Sequence, residues 1–172
     1  ENTIIIFAGD NGLAVGQHGL MGKQNVYEHS VGVPLMIKAA AQHTGKKTAD
    51  LCYLIDVFPT LCDMLQLPVP QSVDGISLLS SLDGKEPVRD YLYYSYMDNQ
   101  RGISDGTWKL IEYHVNGKRT TQLFNLKNDP WERNDLSGQK KYEKTIQRLR
   151  EKIAEEQKRT NDTSVFWNNF SY

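Results

Sequence analysis

Asp10 and Asn11 follow directly on an apolar run, Ile4-Ile5-Ile6-Phe7-Ala8-Gly9, and precede a loop that reads Gly16-Gln17-His18-Gly19-Leu20-Met21-Gly22-Lys23 and then Tyr27-Glu28. A carboxylate and an amide side by side offer hard oxygen ligands to a cation such as calcium. Lys23 is a compact point charge suited to an anionic oxyester. Open α/β sheets place their ligands at the C-terminal ends of strands, which is where Asp10 stands. Asp-Asn-Gly alone is an ideal turn tripeptide; the following His and Lys and the preceding strand favour the cation reading. His18 has two readings that the residues leave open, a member of the site and an imidazole held by the loop backbone.

The elements that must position these groups are legible. Residues 3–8, apolar on both faces, predict a central strand covered on both sides. Val33-Pro34-Leu35-Met36-Ile37 predicts a second, short strand whose entry is marked by Pro34. The apolar stripe from Leu54 to Leu67 predicts a helix that Pro68 and Pro70 stop. Val73 to Leu79 reads as a turn into a short helix or coil. Four strands follow, at 91–96, 101–104, 107–113 and 121–126, with Asp105-Gly106 and Asn116-Gly117 as hairpin signals. Residues 139–159 predict a charged helix with the stripe Tyr142, Ile146, Leu149 and Ile153 and a solvated opposite face. The expected organisation is α/β: part of a larger sheet domain over residues 1–87, then a small α+β unit over 88–172 with a four-stranded antiparallel sheet and one long helix.

The hydrophobic fraction of 39% and charged fraction of 24% are ordinary for a globular chain. A net charge of −1 gives no global field for nucleic acid or an anionic membrane. No apolar run approaches the roughly 20 residues of a membrane-spanning helix. Cys52 and Cys62 read as two buried thiols. His43 and His114 read as surface residues in polar connections, Glu28 and His29 as loop-holding groups, and the tyrosines at 91, 93, 94 and 96 as sheet packing. The chain opens on Glu-Asn-Thr and enters a strand at once, so an upstream segment is expected.

Taken in order, these motifs resemble the C-terminal portion of a type I sulfatase, in the alkaline phosphatase superfamily. The resemblance rests on Ile4 to Gly12, Gly16 to Leu20, Gly22-Lys23 with Tyr27-Glu28, and Val33-Pro34-Leu35. It continues through Asp56-Val57-Phe58-Pro59-Thr60-Leu61, Val73-Asp74-Gly75-Ile76-Ser77-Leu78, Asp105 to Leu110, Leu123 to Leu126 and Asn128-Asp129-Pro130-Trp131-Glu132.

It implies that Asp10 and Asn11 are calcium ligands, that Lys23 contacts the substrate sulfate or leaving oxygen, and that His18 lies in the catalytic loop. It implies hydrolysis of sulfate esters, with sulfated carbohydrate or aryl sulfate as substrate, in a periplasmic, lysosomal or secreted enzyme. The family's formylglycine arises from a Cys/Ser-x-Pro-x-Arg motif that these residues lack, so a missing N-terminal part of the same enzyme is the implied partner and the chain alone is expected to be inactive. Position 32 is Gly where many relatives carry Arg before Val-Pro. The alternatives are a phosphodiesterase or phosphonate hydrolase of the same superfamily, whose members often place His after this Asp, and a catalytically silent binding or structural fragment.

Overall fold

A computed structural model describes residues 3–39, 45 and 47–163; His43 lies outside them. In chain order the elements are β1 (Ile5–Ala8), β2 (Ala14–Val15), β3 (Met21–Gly22), α1 (Glu28–Val31), β4 (Leu35–Lys38), α2 (Val57–Met64), α3 (Leu79–Leu82), β5 (Leu92–Tyr96), β6 (Gln100–Ser104), β7 (Trp108–Val115), β8 (Lys118–Asn125) and α4 (Glu143–Arg159). Two compact units result: Glu1–Asp10 with Val33–Leu92, and Asn11–Gly32 with Tyr93–Tyr172. Among the described residues no helix is long and apolar enough to cross a membrane.

In the first unit β1 pairs antiparallel with β4, Ile5 opposite Lys38 and Ala8 opposite Leu35. The Gly9 N–H extends the ladder to the Pro34 carbonyl at 3.2 Å. The strand expected to be covered on both faces in a larger sheet has one neighbour within these residues. Ile5 is 52% and Phe7 57% exposed, because β4 is the neighbour of β1 in a sheet of two strands.

The helix predicted to reach Leu67 ends at Met64. Gln66 adopts a left-handed φ of 57°, and the N–H groups of Gln66 and Leu67 return to the carbonyls of Asp63 and Cys62. This Schellman closure ends the helix before Pro68 is reached. Cys52 precedes the helix and is half-buried, while Cys62 is buried; both are free.

Asp56 joins the motif around α2 to the one at 73–78. Wholly buried, its carboxylate accepts the N–H groups of Tyr53 and Ile76, each at 2.8 Å, and pairs with Arg89. Thr60 Oγ1 donates to the Asp56 carbonyl and accepts the Leu78 N–H. Gly75 lies so close that a Cβ would stand 2.2 Å from the Ile55 carbonyl oxygen.

In the second unit the sheet runs in the order β5-β6-β7-β8. Asn116 and Gly117, both at positive φ, close β7 onto β8, with Trp108 opposite Asn125 and Val115 opposite Lys118. Alternation along β7 splits it into two faces. On one, Ile111 packs with Val26, Tyr27 and Phe124, joined by Tyr94, Tyr96 and Tyr113. On the other, α4 packs against β6 and β7 and buries Ile146, Leu149 and Ile153 as the stripe predicts. His114 lies within β7 rather than in a connection.

The polar face of α4 is not all solvated. Arg150 Nε donates to Glu112 Oε1 at 2.7 Å, and Arg148 Nη2 to Asp105 Oδ2 at 2.7 Å. Asp105 Oδ1 also accepts the N–H groups of Thr107 and Trp108. Burial alone would raise this carboxyl, but the Trp108, Arg148 and Thr107 donors outweigh it and hold the group below its ordinary value. Its stabilisation is therefore present above the unfolded-state value and lost as pH falls through the lower folded value. Asp105→Asn is expected to cost about 1–2 kcal/mol at neutral pH and progressively less in acid. Urea unfolding across the acid range measures this; a loss independent of pH would contradict it.

Candidate active site

The Asp-Asn-Gly turn is shaped at Gly12. Its N–H donates to the Ser30 carbonyl at 2.9 Å, and a Cβ at this position would sit 2.0 Å from the His29 carbonyl oxygen. Only glycine permits this approach between the turn and α1. Asp10, exposed, closes the first unit, and Asn11, half-buried, opens the second. Asn11 Nδ2 donates to the Gly12 carbonyl at 2.8 Å, and Asn11 Oδ1 accepts from Lys23 Nζ at 3.0 Å. The structure thus brings together Asn11 and Lys23, residues twelve positions apart that sequence spacing nominated separately.

His18 is engaged elsewhere. Its ring stacks on Tyr27, centroids 4.0 Å apart and planes 4° from parallel, and its Nε2 lies 3.2 Å from the Trp131 carbonyl. The residue adopts φ 54° in the turn between β2 and β3. His29 stands 5.7 Å from both rings. Burial, then electrostatic interaction with His18 and Lys109, holds the His29 pKa below its ordinary value. Its Nε2 is buried and has no hydrogen-bond partner.

Beneath α1 lies a group of residues that sequence reasoning did not nominate. Lys109, fully buried on β7, places Nζ 2.8 Å from Glu28 Oε1 and 3.1 Å from Glu132 Oε1, with the Tyr94 ring centroid 5.1 Å away. Glu132 Oε2 accepts the Glu28 N–H at 2.6 Å. Burial raises the Glu132 carboxyl, and the Lys109 charge opposes that shift. Glu132 has φ 54°, and such backbone costs of order 1–3 kcal/mol unless its surroundings hold it. The signal was present in the sequence: a lysine inside Trp108-Lys109-Leu110-Ile111 must find a carboxylate if the strand is buried.

The donors at Asp10 and Asn11, carboxylate and amide oxygen without thiol, suit a hard cation and fit calcium. The described residues hold no group of three or more His, Cys, Asp or Glu able to bind a metal. A calcium shell of about six to eight oxygens would therefore draw further ligands from elsewhere.

Residues 16–159 match the family described as N-sulphoglucosamine sulphohydrolase, C-terminal. An N-acetylglucosamine-6-O-sulfatase of Bacteroides thetaiotaomicron is 30% identical, with 94% of this chain and 31% of that protein covered. A solved structure in complex with its substrate D-glucosamine-2-N,6-O-disulfate superposes with a TM-score of 0.75 at 28% identity, covering 93% of this chain and 35% of the other. The phosphonate monoester hydrolase of Agrobacterium radiobacter shares the fold, with a TM-score of 0.74 at 24% identity over 88% and 34% of the two chains. The chain spans about a third of the length of the curated relatives it matches.

Proposed function

The chain belongs to the N-sulphoglucosamine sulphohydrolase C-terminal family, as a C-terminal portion of a type I sulfatase, and from that premise we propose that the full-length protein hydrolyses sulfate esters of a carbohydrate. The observation that carries this reading is the Lys23 ammonium held 3.0 Å from the Asn11 amide oxygen. It supports the reading because an ammonium suited to an anionic ester stands beside an amide oxygen suited to a divalent ion, next to an exposed carboxylate in sequence.

Asp10 and Asn11 would hold calcium, which when bound supplies Lewis-acid polarisation of the ester. Lys23 offsets the negative charge that builds on the transferred group or leaving oxygen. The Asn11 oxygen has two lone pairs, so accepting from Lys23 does not exhaust it. The nucleophile would come from a Cys/Ser-x-Pro-x-Arg motif outside these residues. The family resemblance places such an enzyme in a periplasmic, lysosomal or secreted setting. Asn11 after Asp10 favours the sulfatase over the phosphonate hydrolase reading.

The full-length protein is expected to release sulfate from an aryl sulfate and a 6-O-sulfated glucosamine, while residues 1–172 alone release none. Lys23→Ala is expected to lower kcat/KM by about 100-fold or more, the scale of losing one preorganised stabiliser of developing charge. Ion chromatography of released sulfate measures both. Faster hydrolysis of a phosphonate monoester than of either sulfate would overturn the assignment.

A further inference from the structure

Two cavities of the second unit adjoin at Gln17 and Trp131, which stand in the walls of both, and together they are called the groove. The outer, about 600 Å³, is completed by His18 and Arg133; the inner, about 260 Å³, extends past Glu28 and His29. Resting on the carbohydrate-sulfatase reading, we propose that this groove is a subsite for a second, anionic sugar of the substrate, with Trp131 as its stacking platform and Arg133 as its anion contact.

Trp131 is 64% exposed, although indoles are highly buried on average. Its position is fixed from both sides. The next residue, Glu132, is buried and tied to Lys109 and the Glu28 N–H, and the carbonyl of Trp131 itself meets His18 Nε2. The turn before it is closed by the Asp129 N–H on the Asn125 carbonyl at 2.8 Å, and the one after it by the Asn134 N–H on Asp129 Oδ2 at 2.8 Å. A rigid aromatic face of this kind presents contact area at low entropic cost.

The polar groups of the groove match a charged sugar. The Arg133 guanidinium is a planar fork for a sulfate or carboxylate. The Asp129 carboxylate accepts the backbone N–H groups of Arg133 and Asn134 and also feels the Arg133 charge. Deeper in, Gln17 and His29 stand in the wall of the inner cavity. The Glu28 and Glu132 carboxylates share the Lys109 ammonium, which tempers their repulsion of an anion. The outer cavity lies within the roughly 300–1,000 Å³ of small-molecule sites. Among the described residues Trp131 is the one large apolar side chain in the wall of the outer cavity, which disfavours a protein partner.

The test uses the full-length protein, a 6-O-sulfated disaccharide with an anionic second sugar, its neutral-second-sugar counterpart, and an aryl sulfate. Trp131→Ala is expected to lower kcat/KM on the anionic disaccharide about tenfold, the scale of losing an aromatic contact at an interface, and at least fivefold more than on the aryl sulfate. Trp131→Phe restores most of the loss. Arg133→Gln lowers turnover of the anionic disaccharide and spares the neutral one. Equal losses on all substrates, or none, would overturn the subsite. Should the wild type hydrolyse no sulfate, the sulfatase reading fails separately. Calorimetry then decides the groove: the wild type binds the anionic disaccharide about tenfold more tightly than Trp131→Ala, and absence of that difference sinks the proposal.

Discussion

Lys109→Ala is expected to lower the stability of the full-length protein by about 3–5 kcal/mol, the cost of removing one partner from a buried ion pair. The Lys109 side chain is 0% exposed, and the alanine would leave Glu132, 2% exposed, without its cation. Glu132 would retain the Glu28 N–H, one donor for a carboxylate that burial already pushes toward its neutral form. The sign of the pH dependence follows. A carboxyl whose folded value is raised contributes stability below its unfolded value and loses it as pH rises through the folded value. Loss of Lys109 raises the folded value further, so the variant is penalised more at neutral pH than in acid. Urea unfolding at the two pH values measures both effects. Lys109→Met with Glu132→Gln, which removes the two fully buried charges and leaves the partly exposed Glu28, is expected to recover a large part of the loss. A single-variant cost below about 1 kcal/mol would show that the pair adds no more than a surface ion pair.

Asp10→Ala in the full-length protein is expected to abolish measurable turnover and to weaken calcium binding by at least the roughly 10–100-fold that loss of a ligand's supporting partner costs. Asp10 is the one formal charge in the pair it makes with Asn11, and hard cations depend on anionic oxygen. Asn11→Ala removes only an amide dipole and is expected to do less. Asp10 is exposed two residues beyond β1 and takes no part in the ion pairs of Asp56 with Arg89 or of Lys109 with Glu28 and Glu132, so the variant should unfold as the wild type does without calcium. Calorimetry of calcium binding, and the thermal shift that calcium produces, read the effect independently of catalysis. Unchanged affinity would remove Asp10 from the metal site.

Most of the fold was legible because local signals agreed with tertiary structure. The stripe Ile146, Leu149, Ile153 and the Asn116-Gly117 turn each have one physical solution, and the structure adopts it. Boundaries failed where backbone closure acted before an obvious breaker. Gln66 in the left-handed region ends α2, a role that glycine usually signals and that a glutamine conceals. The exposure of Ile5 and Phe7 is what an apolar strand shows when these residues supply only part of its sheet, β4 being its one neighbour here. Asn11 and Lys23 were found by residue type. Lys109 with Glu28, Glu132 and Trp131 was not, because its members are separated by long stretches of chain and only strand pairing brings them together. His18 was left open between two roles, and its contacts with Tyr27 and the Trp131 carbonyl describe what holds it in place.

The path of the chain between the two units has a consequence for how this sequence can be divided or exchanged. It leaves the first unit after Asp10, returns at Val33, and leaves again after Leu92. A gene cut at any one of these crossings would deliver a broken core. Division after Leu92 would strand Val26 and Tyr27 from the Ile111 and Phe124 side chains they pack against. The second unit is therefore not a cassette that recombination can append to another scaffold. The stretch carrying Asn11, His18 and Lys23 must be inherited together with the sheet that supports it. Related chains should accordingly vary by substitution within this frame and by changes in its turns, rather than by swapping the C-terminal sheet as a module.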